Sequence, residues 1–390
     1  MRVLITTDWY EPAVNGVVTS VVNLAHGLEA AGHEVRILTL SGSMHSSRTG
    51  NVIRLGSIGV GLLYPSARLR LAQSGPCVRA LIAWRPDVVH SQCEFSTFSL
   101  AKHIAQACGA PLVHTYHTVY EDFTHYFSPS VPLGRRMAAA FSRRVLASAQ
   151  TVIAPTGKIR ALLQGYGVTQ PIAVIPTGLA LARFCATPNA AARRADRRRL
   201  GFADGDRVLL SLGRLAKEKN PQELARLLAC QDARVKLLFV GDGPYREQLQ
   251  KTVRELGLAE RVVFAGMVRP EETARYYALG DVFVSASRSE TQGLTYAEAM
   301  AAGLPLLCRA DPCLAGVICD GANGFLYRSG AEFAEKLGRL LGDERLRRTM
   351  AAAARQTACS RFSAERFTAD VLAVYRRALG AAGRVRNAAG

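Results

Sequence analysis

Aromatic residues are sparse, at 7% of the chain, and fall into no RNP-type cluster; zinc-finger spacings and basic-zipper runs are also missing. Modules that read nucleic acid depend on such patterns to set side chains against bases, so nucleic acid is excluded as a partner. Cysteine is scattered, nine residues with no Cys-x2-Cys pair, which argues against a disulfide framework and a structural zinc site. Cys308, Cys313 and Cys319 form the one cluster and read as small core or loop residues of a reduced compartment. No apolar run reaches the roughly 20 residues of a membrane span, and the opening run is too brief for the core of a signal peptide. Membrane contact is therefore expected to be peripheral, from the cytoplasm onto the inner face of the cell membrane. Acid is the scarcer charge: 31 Asp and Glu face 49 Lys and Arg, a formal excess of +18. An anionic membrane surface answers such an excess, each basic residue near anionic lipid contributing about 1 kcal/mol.

The chain is rich in short apolar runs that alternate with helical patterns. Runs at residues 3–5, 35–40, 88–90, 112–115 and 151–154 are separated by stretches such as 17–31, the rhythm of a parallel sheet. The rhythm restarts at 207–212, 235–240, 262–265, 281–285 and 304–307. This pattern implies two doubly wound α/β domains, residues 1–177 and 178–361. Residues 174–179 read as their connector and the arginine-rich stretch 193–199 as a solvated helix. Phe367, Val371, Val374 and Tyr375 make the apolar stripe of a closing helix within a third segment, 362–390.

Chemistry should gather where parallel strands end and helices begin, because the first amides of a helix have no partners within it and suit a phosphate. After the run at 281–285 the chain reads Glu290-Thr-Gln292-Gly293-Leu294-Thr295 and enters a helix carrying Glu298, so two carboxylates flank an anion site. Carboxylates accept hydrogen bonds from sugar hydroxyls; the bland alternative is a cap support and a solvated helix residue. Arg214 and Lys219 come after the run at 207–212 and can neutralise a diphosphate, unless they are ordinary surface charges. Asn15 and Gly16 precede the first helix, where the absence of a Gly-x-Gly-x-x-Gly turn speaks against a redox dinucleotide. Gly241 and Val268 sit on the loops after the next two strands, and His114, His117 and His125 on the segment after the fourth. Residues 61–71, with Tyr64 and Arg68, mix apolar, aromatic and cationic side chains. Residues 133–148 carry Met137, Phe141 and Val145 on one helical stripe with Arg136 and Arg143 beside it, a face suited to a membrane interface or to ordinary packing.

Taken together, these segments resemble the retaining glycosyltransferases of family 4, whose Glu-x7-Glu motif Glu290 and Glu298 match. The wording Ser289-Glu-Thr-Gln-Gly-Leu-Thr-Tyr296, the stretch 316–325 and the stretch 114–126 are most similar to enzymes that glucosylate diacylglycerol. The resemblance spans residues 1 to about 375 and implies the GT-B architecture, two Rossmann-like domains facing across a cleft, with the closing segment crossing back to the first. It implies a nucleotide sugar held by the C-terminal domain, with UDP-glucose the expectation and galactose or another base the open alternatives, and a lipid acceptor entering from the N-terminal one. By the same resemblance Glu290 meets the transferring sugar, Glu298 the ribose, and Arg214 and Lys219 the diphosphate. Gly16 lies at the donor phosphates, Gly241 and Val268 near the base, and His117 at the sugar, with His114 and His125 weaker candidates. Tyr64, Arg68, Arg136 and Arg143 fall to the acceptor and the membrane. The loops assigned to the donor contain no Asp-x-Asp pair, so no essential metal or other cofactor is expected. A family member with a soluble acceptor, and a silent sugar-nucleotide or membrane-binding module, are the competing classes.

Overall fold

The computed structural model describes residues 1–60, 68–121, 130–186 and 189–388, and its chain divides into two compact units. The first unit takes residues 1–178 together with the closing helix Ala364–Ala388. Its strands are β1 (Arg2–Thr6), β2 (Glu34–Leu40), β3 (Ser47–Thr49), β4 (Val52–Leu55), β5 (Ile58–Gly59), β6 (Arg68–Leu69), β7 (Val88–Ser91), β8 (Leu112–Thr115), β9 (Thr151–Ala154) and β10 (Ile172–Val174). Eight of them form one sheet in the order β10-β9-β8-β7-β1-β2-β4-β3, parallel except for β3, while β5 and β6 pair separately. Side chains alternate across a strand, so a sheet covered on both faces needs strands that are apolar throughout. β1 meets this: Val3 and Ile5 join one core with the helix Gly16–Ala30 and the closing helix, and Leu4 joins another with the helices Pro76–Trp84 and Ser96–Cys108.

The closing helix buries Phe367, Val371, Val374 and Tyr375, the stripe its sequence carries, against Val21, Leu24 and Leu28. Two helices approach closely there because Gly27 lacks a side chain; a Cβ at that position would collide with Thr368 Oγ1.

The second unit, residues 179–363, holds β11 (Arg207–Leu212), β12 (Val235–Val240), β13 (Val262–Gly266), β14 (Val282–Ser285), β15 (Leu306–Arg309) and β16 (Gly324–Tyr327) in the order β13-β12-β11-β14-β15-β16. All are parallel, with Leu209 and Phe239 buried on one face and Leu210 and Leu238 on the other. The arginine-rich helix Ala190–Arg199 departs from its expectation as a solvated face. Arg193 and Arg197, one turn apart, reach Asp281 at 2.9 and 2.8 Å and also donate to the carbonyls of Ala278, Gly280 and Leu279. Burial would lift the Asp281 pKa, yet Arg197 and the Val208 amide hold it below the ordinary value. These two arginines are structural; their neighbours Arg194, Arg198 and Arg199 remain at the surface.

Gly27→Ala gains about 1 kcal/mol of helix propensity but must displace Thr368, and overpacking of this kind costs about 1–3 kcal/mol. A net loss of stability is expected in thermal unfolding of the single variant. Adding Thr368→Ala should recover it, because the double variant keeps the propensity and removes the clash.

Candidate active site

Strand order in the second unit reverses between β11 and β14, and the loops that leave their carboxyl ends part on either side of a crevice. One of those loops carries Arg214 and Lys219 and the other carries residues 286–293. Lys219 Nζ reaches across to Glu290 Oε1 at 2.8 Å and to the Ser289 carbonyl at 3.2 Å. Arg214, half-exposed, pairs with Glu218 of its own loop, so it must leave that partner to meet a phosphate. Gly293 stands at the head of the helix Leu294–Ala301 with φ 74°, and a Cβ there would collide with the Tyr296 ring. Glycine is thus required both for the left-handed turn and for the space above the aromatic ring. Leu294 and Thr295 open the helix, where amides point outward, and Gln292 is buried just ahead of them.

Glu298 lies one turn on, half-buried, and its Oε2 accepts from the Tyr277 hydroxyl at 2.7 Å. Burial raises the Glu298 pKa, with Tyr277 opposing. Oε1 has no protein partner among the described residues, so the carboxylate is oriented by one oxygen and open at the other. Gly241 comes directly after β12 and its amide donates to the Gly266 carbonyl at 2.8 Å, tying together the loops after β12 and β13. Val268 packs partly buried against the core beside them.

The first unit reverses its order between β1 and β7. Asn15 caps the helix after β1, its Oδ1 accepting from the Val18 amide at 2.9 Å, and Gly16 is the exposed first residue of that helix. His117 lies just past β8, and its Nε2 is 2.7 Å from Gln92 Oε1. Burial pulls the His117 pKa down to about 4, Glu94 opposing and His114 adding, so the ring is neutral at physiological pH. Glu94 is buried between the His114 Nε2 at 3.3 Å and the Tyr120 hydroxyl at 2.7 Å. His114 is fully buried in this pair, the position of a supporting residue and not of one that meets a ligand.

Residues 14–183 match the profile of Glycosyltransferase Family 4 and residues 192–357 that of Glycosyl transferases group 1. An alpha-monoglucosyldiacylglycerol synthase of Streptococcus pneumoniae is 37% identical over 84% of this chain and 75% of the relative, and one of Acholeplasma laidlawii is 31% identical over 86% and 87%. The chain belongs to glycosyltransferase family 4. A GDP-mannose-dependent alpha-mannosyltransferase of Mycolicibacterium smegmatis is also similar, 29% identical over 83% of this chain and 86% of the relative. Among solved structures, sucrose-phosphate synthase from Thermosynechococcus elongatus (TM-score 0.76, 23% identity, 97% of this chain and 99% of that one) and Anabaena HepE in complex with UDP-glucose (0.76, 19%, 97% and 100%) share the fold.

In this family 4 glycosyltransferase the residues expected to meet acceptor and membrane are placed unequally. Tyr64 and His125 lie outside the described residues. Arg68 is anchored by Nε and Nη2 to Ser57, each at 2.7 Å, and lines a cavity of about 370 Å³ with Asp8, Trp9, Tyr10 and Arg54. The helix Val131–Leu146 buries Gly134, Ala138, Ser142 and Leu146, and leaves Met137 exposed and Phe141 and Val145 half-buried. Small residues lie inward because Phe141 is turned to stack on Phe95 at 5.6 Å and to meet Tyr120 edge-on at 5.5 Å. Val131, Leu133 and Met137 stay exposed beside Arg136, whereas Arg143 donates to the Tyr166 carbonyl at 2.9 Å. The sequence's one Asp-x-Asp pair, Asp204 and Asp206, precedes β11 at the opposite end from these loops. Asp204 pairs with Arg198, and Asp206 accepts from the Ala203 amide.

Asp8, Gln92, Glu94, Phe95 and Tyr277 escaped the sequence reading. Four of them could have been found by inspecting the residues immediately after β1 and β7, since strand ends at a reversal collect ligand-facing residues. Asp8 Oδ1 accepts from the Thr97 amide at 2.9 Å, while Oδ2 is buried with no partner among the described residues. Burial lifts its pKa to about 6 against the pull of Thr97, with Glu94 adding. A carboxyl raised in the folded state stabilises below its unfolded pKa, and that contribution is lost as pH climbs through about 6. Asp8→Asn should therefore be more stable than the parent at pH 8 by on the order of 2 kcal/mol and equal to it at about pH 4, read from urea midpoints.

Proposed function

We propose that this glycosyltransferase moves glucose from UDP-glucose to the free hydroxyl of a diacylglycerol at a membrane surface, with retention of configuration and without an essential metal. The ion pair of Lys219 with Glu290 across the reversal in the second unit carries the reading, because it sets a phosphate-seeking cation and a hydroxyl-accepting carboxylate side by side. Diphosphate departure would be stabilised by Lys219, by Arg214 once it leaves Glu218, and by the helix start after Gly293. The bond from the anomeric carbon to the diphosphate breaks as the acceptor oxygen bonds to that carbon on the same face, and the acceptor proton passes to the departing diphosphate. Glu298 suits the ribose hydroxyls, and His117, neutral, suits a sugar hydroxyl.

A lipid acceptor is supported by the names of the two diacylglycerol-directed relatives and by the surface of the first unit. Phe95 adjoins Glu94 and is 55% exposed, and it stacks on the helix that also exposes Val131, Leu133, Met137 and Arg136. Apolar and cationic side chains mixed on one face suit an anionic interface. The mannosyltransferase relative favours GDP-mannose as the second reading of the donor.

Labelled UDP-glucose and GDP-mannose offered with diacylglycerol in vesicles, or with soluble sugars, in excess EDTA, decide among these. Glucosylated diacylglycerol is expected, with binding that needs anionic lipid and weakens with salt. Arg136→Glu combined with Arg143→Glu should lower vesicle binding and lipid transfer while sparing slow UDP-glucose hydrolysis. Transfer to soluble acceptors alone, or turnover lost on chelation and restored by a metal ion, would refute the corresponding part.

The two glutamates should differ in steady-state kinetics. A charge-assisted hydrogen bond is worth about 1.5–3 kcal/mol, roughly tenfold to a hundredfold. Glu290→Gln is expected to lower kcat by that factor, and Glu298→Gln to raise the donor KM with kcat nearly kept. Wild-type kinetics in both variants would mean that the site is misplaced.

A further inference from the structure

Gln92 lies directly after β7 and is 1% exposed, and its carboxamide sits between two histidines. On one side its Oε1 is 2.7 Å from His117 Nε2. On the other its Nε2 is 3.2 Å from His90 Nε2 and 3.4 Å from His90 Nδ1. Both ring nitrogens of His90 are already engaged in hydrogen bonds of 2.7 Å, Nδ1 with the Tyr375 hydroxyl and Nε2 with Thr115 Oγ1. An amide nitrogen nearly equidistant from two ring nitrogens lies over the ring face, where an N–H meets electron density and a carbonyl oxygen would be repelled. The amide is thus assigned by its network, with NH2 toward His90 and oxygen toward His117. An amide oxygen can only accept, so the proton of neutral His117 belongs on Nε2 and the lone pair on Nδ1.

We propose that Gln92 is a positioning residue of the transfer reaction, holding His117 as the Nε2–H tautomer so that the Nδ1 lone pair accepts a hydrogen bond from a substrate hydroxyl. This rests on the reading that His117 meets the sugar or the acceptor. Nδ1 has no hydrogen-bond partner among the described residues. The other titratable groups that bear on this ring are Glu94 after β7, His90 on β7 and His114 on β8. Glu94 is engaged by His114 and Tyr120, so it does not compete for the His117 proton. Tyr375 brings the closing helix into the same chain of contacts, which runs from Tyr375 through His90 and Gln92 to His117 within the first unit. Without an acceptor at Gln92 the ring would divide between two tautomers, and only one of them offers Nδ1.

Imidazole-labelled histidine makes the tautomer visible by long-range proton–nitrogen NMR of the full chain, with His117→Gln identifying the resonance. The wild type should show Nε2–H at about pH 7. Gln92→Met, similar in volume but without an acceptor, should give mixed tautomers and a kcat lower by about tenfold at nearly unchanged donor KM. Gln92→Glu restores an acceptor. It should recover kcat at about pH 8 while the acid limb of the kcat profile moves to higher pH, since a carboxylate favours the imidazolium. A wild-type ring found as Nδ1–H overturns the proposal even if no variant folds. So does Gln92→Met with an unchanged tautomer, or with an unchanged kcat. His117→Gln transferring at the wild-type rate would remove the functional reading beneath the proposal, a failure distinct from a wrong tautomer.

Discussion

Burial on both faces is the constraint on which the rest of this protein depends. A parallel sheet sandwiched between helix layers spends its side chains on the two cores, as Val3, Leu4 and Ile5 do in β1 and Leu209 and Leu210 do in β11. Nothing along such a strand can meet a ligand, so chemistry moves to the carboxyl ends. Where the strand order reverses, the loops part and leave room. Lys219 with Glu290 in one unit, and Gln92 with His117 in the other, are both products of that geometry.

The charge of +18 is divided between fold and surface. Arg193 and Arg197 neutralise a buried aspartate and satisfy carbonyls at the end of a helix, so they are part of the core despite lying in the densest arginine run. Arg261 likewise donates to four backbone carbonyls. Arg136, beside exposed apolar residues, belongs to the surface excess that an anionic interface would attract. Sequence charge alone cannot separate these groups, because a guanidinium on a long stem reaches inward or outward according to what its helix packs against.

The two units treat their polar residues in opposite ways. The second keeps Lys219 and Glu290 partly solvated, as a site for a charged ligand must be before the ligand arrives. The first buries His90, Gln92, Glu94 and His114 and keeps His117 neutral. Burial of so many polar groups is tolerable because most find partners with each other; an unpaired one costs about 1–3 kcal/mol. A network satisfied this way has little freedom to rearrange.

Strand after strand was legible in the apolar runs, along with the stripe Phe367, Val371, Val374 and Tyr375 and the signature from Glu290 to Glu298, because buried strands and a glycine turn impose patterns local to the chain. β3 to β6, β10 and β16 were not: β3, β10 and β16 stand at sheet edges, β4 lies next to one, β5 and β6 pair apart from both main sheets, and none exceeds four residues. The inward turn of Arg193 and Arg197, the small-residue stripe of the helix Val131–Leu146 and the partners of His117 were decided by contacts between segments far apart in sequence. Gln92 and His117 are 25 residues apart, and His90 and Tyr375 are 285 apart. Which residues stand at strand ends is written in the local sequence, but which strand ends stand beside each other is set by the order of the folded sheet.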